Sequence, residues 1–361
     1  MDLVGGLLCL AGVGIGIGLV VVDQKATEFG WPLLPALATA SIAAVVTAAL
    51  ALVAFGRRSR VAEKAMRQVH FGDKPLSDLG SKGQDDRVSH IICATEIQSG
   101  LHAFFSDGFM YSYVFGISSN THSVPLAFAV QASTALPGGF APRRLPTKSL
   151  GFQSAGELTV GYRRQPLILM DGGVYDNMAD QWFVGLSDRR DRWPNEFSSR
   201  IEPVDHLIVA NASTGWVWQP LGWLAQTIHT VREAAALGRI FGVLYNTLGR
   251  RRRSHLNDRW RCDDFGEKGV FVEVNDDPEQ RAPDALRQRV ADIAPTGGWR
   301  PLVERSRVYP TVLRKVPRQT CLEIMWHAYV VTAVTLARFF AVPTSNEEIP
   351  TFDAFSARLL D

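Results

Sequence analysis

The residue with the clearest potential for chemistry is an aspartate that ends an apolar run. Residues 166–178 read PLILMDGGVYDNM, so that Asp171 follows five apolar residues and precedes Gly172 and Gly173. A short apolar run closed by glycines is typical of a buried strand of a parallel sheet, and ligands bind at the carboxyl ends of such strands. Asp171 would therefore lie at the edge where ligands bind, and it is a candidate functional residue. The alternative is a turn in which the aspartate bonds its own backbone two residues on.

A metal site is a further interpretation of the same segment, and the sequence argues against it. Asp171, Asp176 and Asn177 supply three oxygen ligands, short of the ~6–8 that calcium takes, and their spacing is not that of an EF-hand loop. The cysteines are too far apart for a zinc site and are expected to be reduced; they are Cys9, Cys93, Cys262 and Cys321. We expect neither a metal nor another cofactor.

The overall charge is too balanced to indicate nucleic-acid binding, and we expect no nucleic-acid partner. The 361 residues carry 38 basic and 36 acidic side chains and a formal net charge of +2, so any basic character must be local. One such place is GRRRRSH at residues 249–255. Its four arginines are candidate contacts for anionic lipid headgroups, at about 1 kcal/mol each near a membrane surface; they are Arg250, Arg251, Arg252 and Arg253. A solvated loop is the alternative.

Two uncharged segments precede the candidate site and predict a membrane hairpin within residues 1–60. Residues 3–22 and 33–55 are each long enough to cross a hydrocarbon core of ~30 Å as a helix. Small residues four apart, such as Gly12 and Gly16, would let the two helices approach closely. Basic residues cluster after residue 56, whereas the connection between the segments has one lysine, so the rest of the chain is expected in the cytoplasm. Buried helices of a soluble protein are the alternative.

Residues 61–345 are expected to form one α/β lobe, followed by a C-terminal tail at residues 346–361. Short apolar runs predict strands in HIICATEIQSG (90–100), in PLILMDGG and in HLIVANAS (206–213). FAVQASTALPGGFAP (128–142) predicts a helix broken at Pro137, because proline disfavours helix in the residue before it. The apolar segment 321–340 contains three ionisable residues and is predicted to be a packed helix rather than a third span.

Three blocks in order, CATEIQSG, ASTALPGGFAP and LILMDGGVYDNM, resemble the patatin-like phospholipase family over residues 70–340. The resemblance implies a three-layer α/β/α sandwich and hydrolysis of membrane phospholipids or other acyl esters by a Ser–Asp dyad without histidine. By match of motif, Asp171 takes the place of the aspartate in that dyad, as the base that accepts the serine proton. Gly172 and Gly173 would leave room beside it for an acyl chain or the nucleophile's turn. The strands ending at Ala94 and Asp171 are then expected in one sheet, with their carboxyl ends on the same side.

The chain departs from the family pattern where the nucleophile should lie. No serine has glycine at both the minus-two and plus-two positions, so the G-x-S-x-G turn and its glycine-rich oxyanion loop are both missing. Ser133 is a candidate to replace the missing nucleophile. His206 or His229 could complete a triad after Asp171. We expect the nucleophile half of the domain to be encoded upstream and to act as a partner of this part. The alternative is a non-catalytic, membrane-anchored protein that binds lipid or a partner protein.

Overall fold

The chain forms two compact units, Met1–Glu202 and Pro203–Asp361, and the boundary falls inside the lobe predicted for residues 61–345. The structure is a computed structural model, and its secondary structure is mixed α/β. The residues that it describes are 33–79, 90–137, 139–153, 165–176, 178–184, 191, 206–211, 227, 247–261, 268–309, 315–342, 344–345 and 348–359.

The first unit joins one long helix to a six-stranded sheet. Its helices are α1 (Leu33–Met66), α2 (Leu126–Ser133), α3 (Gly173–Asp176) and α4 (Gln181–Val184). Its strands are β1 (Ile92–Glu96), β2 (Leu101–Phe105), β3 (Met110–Ser112), β4 (Gly116–Ser118), β5 (Arg143–Leu145) and β6 (Leu167–Asp171). The helix predicted around residues 128–142 is α2, which ends at Ser133, before the proline. The strands predicted in the first two apolar runs are β1 and β6.

All pairings in the six-stranded sheet are antiparallel, in the order β4-β3-β2-β1-β6-β5. The expectation that the strands ending at Ala94 and Asp171 share a sheet is confirmed, because these two residues face each other across β1 and β6. The expectation that their carboxyl ends lie on the same side is wrong. Strands β1 and β6 run in opposite directions. The same holds for successive strands from β1 to β4, whose connections are a few residues long, and only antiparallel strands can be joined so tightly.

Both faces of this sheet are buried. Successive side chains of a strand point to opposite faces, and on β2 Phe105 belongs to the core that α2 covers, whereas Phe104 belongs to a second cluster. That second cluster includes Trp182 of α4, whose ring lies 4.9 Å from the Phe104 ring, edge to face. On β6, Leu169 belongs to the core that α2 covers, whereas Asp171 at the end of the strand is half-buried.

The helix α1 contains the second predicted membrane span, residues 33–55, whereas the first, residues 3–22, lies outside the described residues. Large apolar side chains on α1 are exposed, among them Ile42 at 63%, Val45 at 68% and Leu50 at 63%. The last turns of α1 pack against α2, and the Ser59 hydroxyl donates to the Ala141 carbonyl, just before β5, at 2.6 Å. One unbroken helix thus joins the apolar segment to the domain.

The second unit pairs two parallel strands with a group of helices. Its strands are β7 (His206–Asn211) and β8 (Lys268–Glu273), and its helices are α5 (residues 247–261), α6 (Pro278–Arg281), α7 (Asp284–Asp292), α8 (Trp299–Val308), α9 (Arg318–Phe339) and α10 (Phe352–Arg358). The strand predicted at residues 206–213 is β7. Its neighbour β8 was not predicted.

Among the residues that the structure describes, one helix, α9, is long and apolar enough by length and composition to cross a membrane, and 33% of its most apolar stretch is buried. One face of α9 contributes Trp326, Val330 and Val334 to the core of the second unit. The indole of Trp326 donates to the Pro350 carbonyl at 2.9 Å. These contacts are those of a packed helix, as the sequence predicts for this segment.

Candidate functional site

Asp171 is the last residue of β6, and its backbone is held on two sides. Its amide donates to the Ala135 carbonyl at 3.2 Å. Its carbonyl accepts a hydrogen bond from the Thr95 hydroxyl at 2.9 Å. The position of Asp171 is therefore fixed by the segment after α2 on one side and by β1 on the other.

The three sequence blocks of the family resemblance converge at this point. Gly172 donates its amide to the Ser133 carbonyl at 3.2 Å, so the ASTALPGGFAP block contacts both residues of the Asp-Gly pair. Thr95, from the CATEIQSG block, also accepts a hydrogen bond from the Tyr175 amide at 3.1 Å. Segments as far apart as residues 95, 133 and 175 thus meet around one aspartate. The motif match did not identify Thr95 as a positioning residue, although it lies inside a matched block.

The Asp171 carboxylate forms a local turn. One oxygen, Oδ1, accepts a hydrogen bond from the Gly173 amide at 2.7 Å, and among the described residues no other group donates to this carboxylate. This is the geometry of the turn interpretation, and it also leaves the second oxygen available for another role. Burial raises the pKa of Asp171, and the Gly173 amide opposes that rise.

Gly172 is required by packing rather than by an open space. A Cβ atom at this position would lie 2.5 Å from the Cys93 carbonyl oxygen, because β1 passes directly against the turn. The Cys93 carbonyl therefore occupies the space that a side chain at position 172 would fill. Gly173 has a different role, because it begins α3 and its amide is the donor to Asp171.

Asp176 has a structural role. Its side chain is 5% exposed, with Oδ1 accepting from the Met178 amide at 3.2 Å and Oδ2 from the Gln181 amide at 2.8 Å. Both oxygens therefore organise the connection to α4. Asn177, the third residue considered above for a metal site, lies outside the described residues. Among the residues that are described, no group of three His, Cys, Asp or Glu residues could hold a metal ion.

The other candidate residues are placed as follows. Ser133 ends α2 and contacts the Asp171 turn through its carbonyl, and it is half-buried. His206 begins β7 in the second unit, with its ring 4.8 Å from the Phe340 ring. His229 lies outside the described residues. The Ser133 side chain forms no hydrogen bond to the Asp171 carboxylate in the described part of the chain.

The four arginines predicted to contact lipid headgroups lie in α5, not in a loop. Arg250 and Arg251 are exposed, and Arg252 is half-buried. Arg253 forms an ion pair with Glu273 at 2.5 Å, and its guanidinium lies 5.7 Å from the centre of the Phe271 ring. Arg253 is therefore bound to β8, whereas Arg250 and Arg251 extend into solvent.

The site in the first unit thus supplies a firmly positioned carboxylate with a raised pKa, and one of its oxygens accepts no hydrogen bond from the residues that the structure describes. A carboxylate of this kind accepts a proton readily once a donor is brought within hydrogen-bonding distance. The comparisons with known proteins add no assignment to this geometry. No family model matches the chain, and neither does a curated protein or a solved structure.

Proposed function

We propose that this chain is the aspartate-bearing part of a membrane-anchored, patatin-like lipid acyl hydrolase that acts on a membrane phospholipid or another acyl ester. The observation that carries the proposal is the convergence at Asp171. Hydrogen bonds from Thr95 and to Ser133 and Ala135 bring the three resembling blocks to this turn. Blocks that are separated in sequence but shared with a family are expected to meet in space if they build one site.

The proposed reaction gives Asp171 the role of base. A serine hydroxyl is a weak nucleophile, and it needs an adjacent group to take its proton as the oxygen attacks the ester carbonyl. The chain has no serine in a G-x-S-x-G turn. The nucleophile is therefore proposed to come from a segment that is not among these 361 residues. Burial of Asp171 raises its pKa, which makes the carboxylate a stronger base when it is ionised.

The fold supports a three-layer sandwich as part of this proposal. The core on one side of the sheet contains Ala129 of α2, and the cluster on the other side contains Trp182 of α4. Helices therefore cover both faces in the first unit. The antiparallel pairing of β1 with β6 is the feature that the family resemblance did not lead us to expect.

The membrane anchor is proposed to be the hairpin of residues 3–22 and 33–55, with the rest of the chain on the cytoplasmic side. Exposed apolar side chains along α1 support this, because a helix that shows Ile42, Val45 and Leu50 to its surroundings suits lipid better than water. The basic residues that follow the segment support the orientation; they are Arg57, Arg58, Arg60, Lys64 and Arg67.

Hydrolysis of a short-chain nitrophenyl ester tests the catalytic proposal. The chain alone is expected to show no turnover, because loss of the nucleophile costs about 10⁶ in a comparable serine hydrolase. Adding a nucleophile-bearing segment, fused or as a separate chain, should restore turnover, and Asp171→Asn should then abolish it. Turnover that survives Asp171→Asn in the restored protein would contradict the role of Asp171. Turnover of the chain alone that disappears with Ser133→Ala would identify Ser133 as the nucleophile.

A non-catalytic protein that binds lipid or a partner is the second candidate function. The observation that favours it is the turn at Asp171, in which the carboxylate bonds the Gly173 amide at 2.7 Å and so has a structural use without any substrate. The two candidate functions predict different results for the protein to which a nucleophile-bearing segment has been added. A binding protein would hold lipid equally well with and without the Asp171→Asn change, and it would gain no turnover from the added segment.

A further inference from the structure

A cleft of about 690 Å³ in the second unit combines arginines with an aromatic side chain. The residues that matter to the argument are Asp276, Asp277, Arg281, Arg300, Arg338 and Phe339, all of which line it. They come from the start and end of α6, from α8 and from the end of α9. Rigid helices therefore present the charged groups around one space.

The two acidic residues of the cleft already have partners. Asp276 pairs with Arg281 at 2.8 Å. Asp277 is the N-cap of α6, where its Oδ1 accepts from the Glu279 amide at 3.0 Å and its Oδ2 from the Gln280 side chain at 3.4 Å. Both carboxylates are therefore already engaged by groups of the same chain.

Two arginines of the cleft lack a carboxylate partner among the described residues. Arg300 is exposed and has neither an ion pair nor a side-chain hydrogen bond within that part of the chain. Arg338 uses one nitrogen, Nη1, for the carbonyls of Gln280 and Arg281 at 3.2 and 3.4 Å. Its guanidinium lies 5.5 Å from the centre of the Phe339 ring. Both therefore keep N–H donors for an anion.

A second cleft of about 310 Å³ adjoins the first and shares Arg281 and Phe339 with it. Its lining is part apolar and part charged, and it includes the Arg253–Glu273 ion pair. Its wall contains Trp260 and Phe271, whose rings lie 4.9 Å apart. The Trp260 indole nitrogen is buried and has no hydrogen-bond acceptor among the residues described. This nitrogen has no exposed surface, so other atoms of the Trp260 ring form the wall that a ligand would touch.

We propose that these two clefts bind a phosphate ester that carries an apolar group. The phosphate would lie among Arg281, Arg300 and Arg338, because guanidinium groups match phosphate oxygens in charge and geometry. The apolar group would extend past Phe339 towards Trp260. A membrane phospholipid and a soluble phosphate ester share this chemistry. The inference concerns the second unit alone and does not depend on ester hydrolysis.

Titration calorimetry of the full chain in an uncharged detergent tests this inference with two probes, phenyl phosphate and dihexanoyl phosphatidic acid. The informative variant is the double change Arg300→Ala and Arg338→Ala, since both side chains are exposed. Circular dichroism checks that the second unit stays folded without the Arg338 bonds to the Gln280 and Arg281 carbonyls. Arg318→Ala is the matched control, because Arg318 is an exposed arginine of α9 that does not line either cleft.

The expected result is saturable binding of at least one probe, weakened about tenfold or more by the double variant, as loss of charged hydrogen bonds predicts, and unchanged by Arg318→Ala. Binding of phosphatidic acid alone would identify a lipid as the source, and binding of phenyl phosphate would identify a soluble ester. The inference is overturned if neither probe binds, or if the double variant and the control bind alike. Neither outcome bears on the hydrolase proposal, which is tested by turnover.

Discussion

At the residue scale, one oxygen of the Asp171 carboxylate accepts a hydrogen bond within a turn, and burial of the side chain disfavours its ionised form. The bond from the Gly173 amide stabilises the ionised form, and desolvation, the larger effect, raises the pKa above the ordinary value for an aspartate. A purely structural turn gains nothing from a raised pKa. A catalytic base does, because its basicity increases with its pKa.

The raised pKa predicts how stability depends on pH. The folded state holds a proton on Asp171 more tightly than the unfolded state does, so this residue lowers the stability as pH rises from the ordinary carboxyl range through the folded pKa. Asp171→Asn removes that effect and keeps an oxygen for the Gly173 amide. We therefore expect the variant to melt at a higher temperature than the wild type at about pH 7.5, well above the ordinary aspartate pKa. The gain should shrink as the pH is lowered towards about 4.

Thermal unfolding in detergent, followed by circular dichroism at both pH values, measures this difference. Asp171→Ala is the control, because it removes both the charge and the acceptor of the Gly173 amide. If Asp171→Asn melts below the wild type at the higher pH, the burial of the charged carboxylate is not a net cost.

Gly172 gives a second prediction at this scale. Gly172→Ala places a Cβ atom 2.5 Å from the Cys93 carbonyl oxygen, and because that neighbour is backbone, β1 must shift. We expect a loss of about 1–3 kcal/mol in the free energy of unfolding, as for other overpacked sites. The matched control is Gly56→Ala in α1, where nothing lies within 4 Å. Equal effects of the two changes in denaturant titrations would show that the close approach of β1 is not present in solution.

At the element scale, a buried ion pair is one of the contacts that attach α1 to the rest of the first unit. Glu63 of α1 contacts Arg143 of β5, and their side chains are 13% and 10% exposed. Glu63 also pairs with Arg67 at 2.8 Å, and the Arg143 guanidinium lies 4.8 Å from the centre of the Phe128 ring. Burial lowers the pKa of Arg143, and Glu63 opposes this. The helix that carries the proposed anchor is thus attached to the sheet through charged groups.

Glu63→Gln is expected to lower the free energy of unfolding strongly. It leaves Arg143 buried without a counter-charge, and breaking a buried pair in this way costs about 3–5 kcal/mol. Glu304→Gln is the control, because its partner Arg307 is on the surface, with Glu304 53% exposed, and surface pairs contribute about 0–1 kcal/mol. The free energies of unfolding of both variants, from denaturant titration, decide the point. A similar loss in both would mean that water reaches the Glu63–Arg143 pair.

At the scale of the whole molecule, the chain consists of two units with separate cores, and the two proposed activities belong to different units. Asp171 lies in Met1–Glu202, and the arginine clefts lie in Pro203–Asp361. A change in one site should therefore leave the other site's function intact, which is why the tests above use turnover for one and binding for the other.

The orientation in the membrane is also a property of the whole molecule. In a variant without native cysteines, a cysteine at Thr27 should react with an impermeant reagent added outside intact cells, and one at Ser81 should not. The reason is the excess of basic residues after residue 56. Permeabilised cells provide the control for reactivity. Labelling of Ser81→Cys in intact cells would exclude the cytoplasmic placement of the lobe.

The sequence by itself determined where several elements lie. The apolar runs predicted β1, β6 and β7, and the QAST segment predicted the helix α2 with its end before Pro137. These signals are local, because burial and proline sterics act on residues that are neighbours in the chain. The family blocks in addition singled out Asp171 and Gly172, although not the contacts that hold them.

Only the tertiary structure decided how these elements pair. The apolar pattern of PLILMD indicates burial on both faces but carries no information on the direction of the neighbouring strand, so the antiparallel pairing of β6 with β1 was missed. For the same reason the sequence did not show that Cys93 fills the space beside Gly172 or that Arg253 pairs with Glu273. Each is a contact between residues far apart in the chain, and such contacts depend on the packing of the whole unit, which no local period encodes.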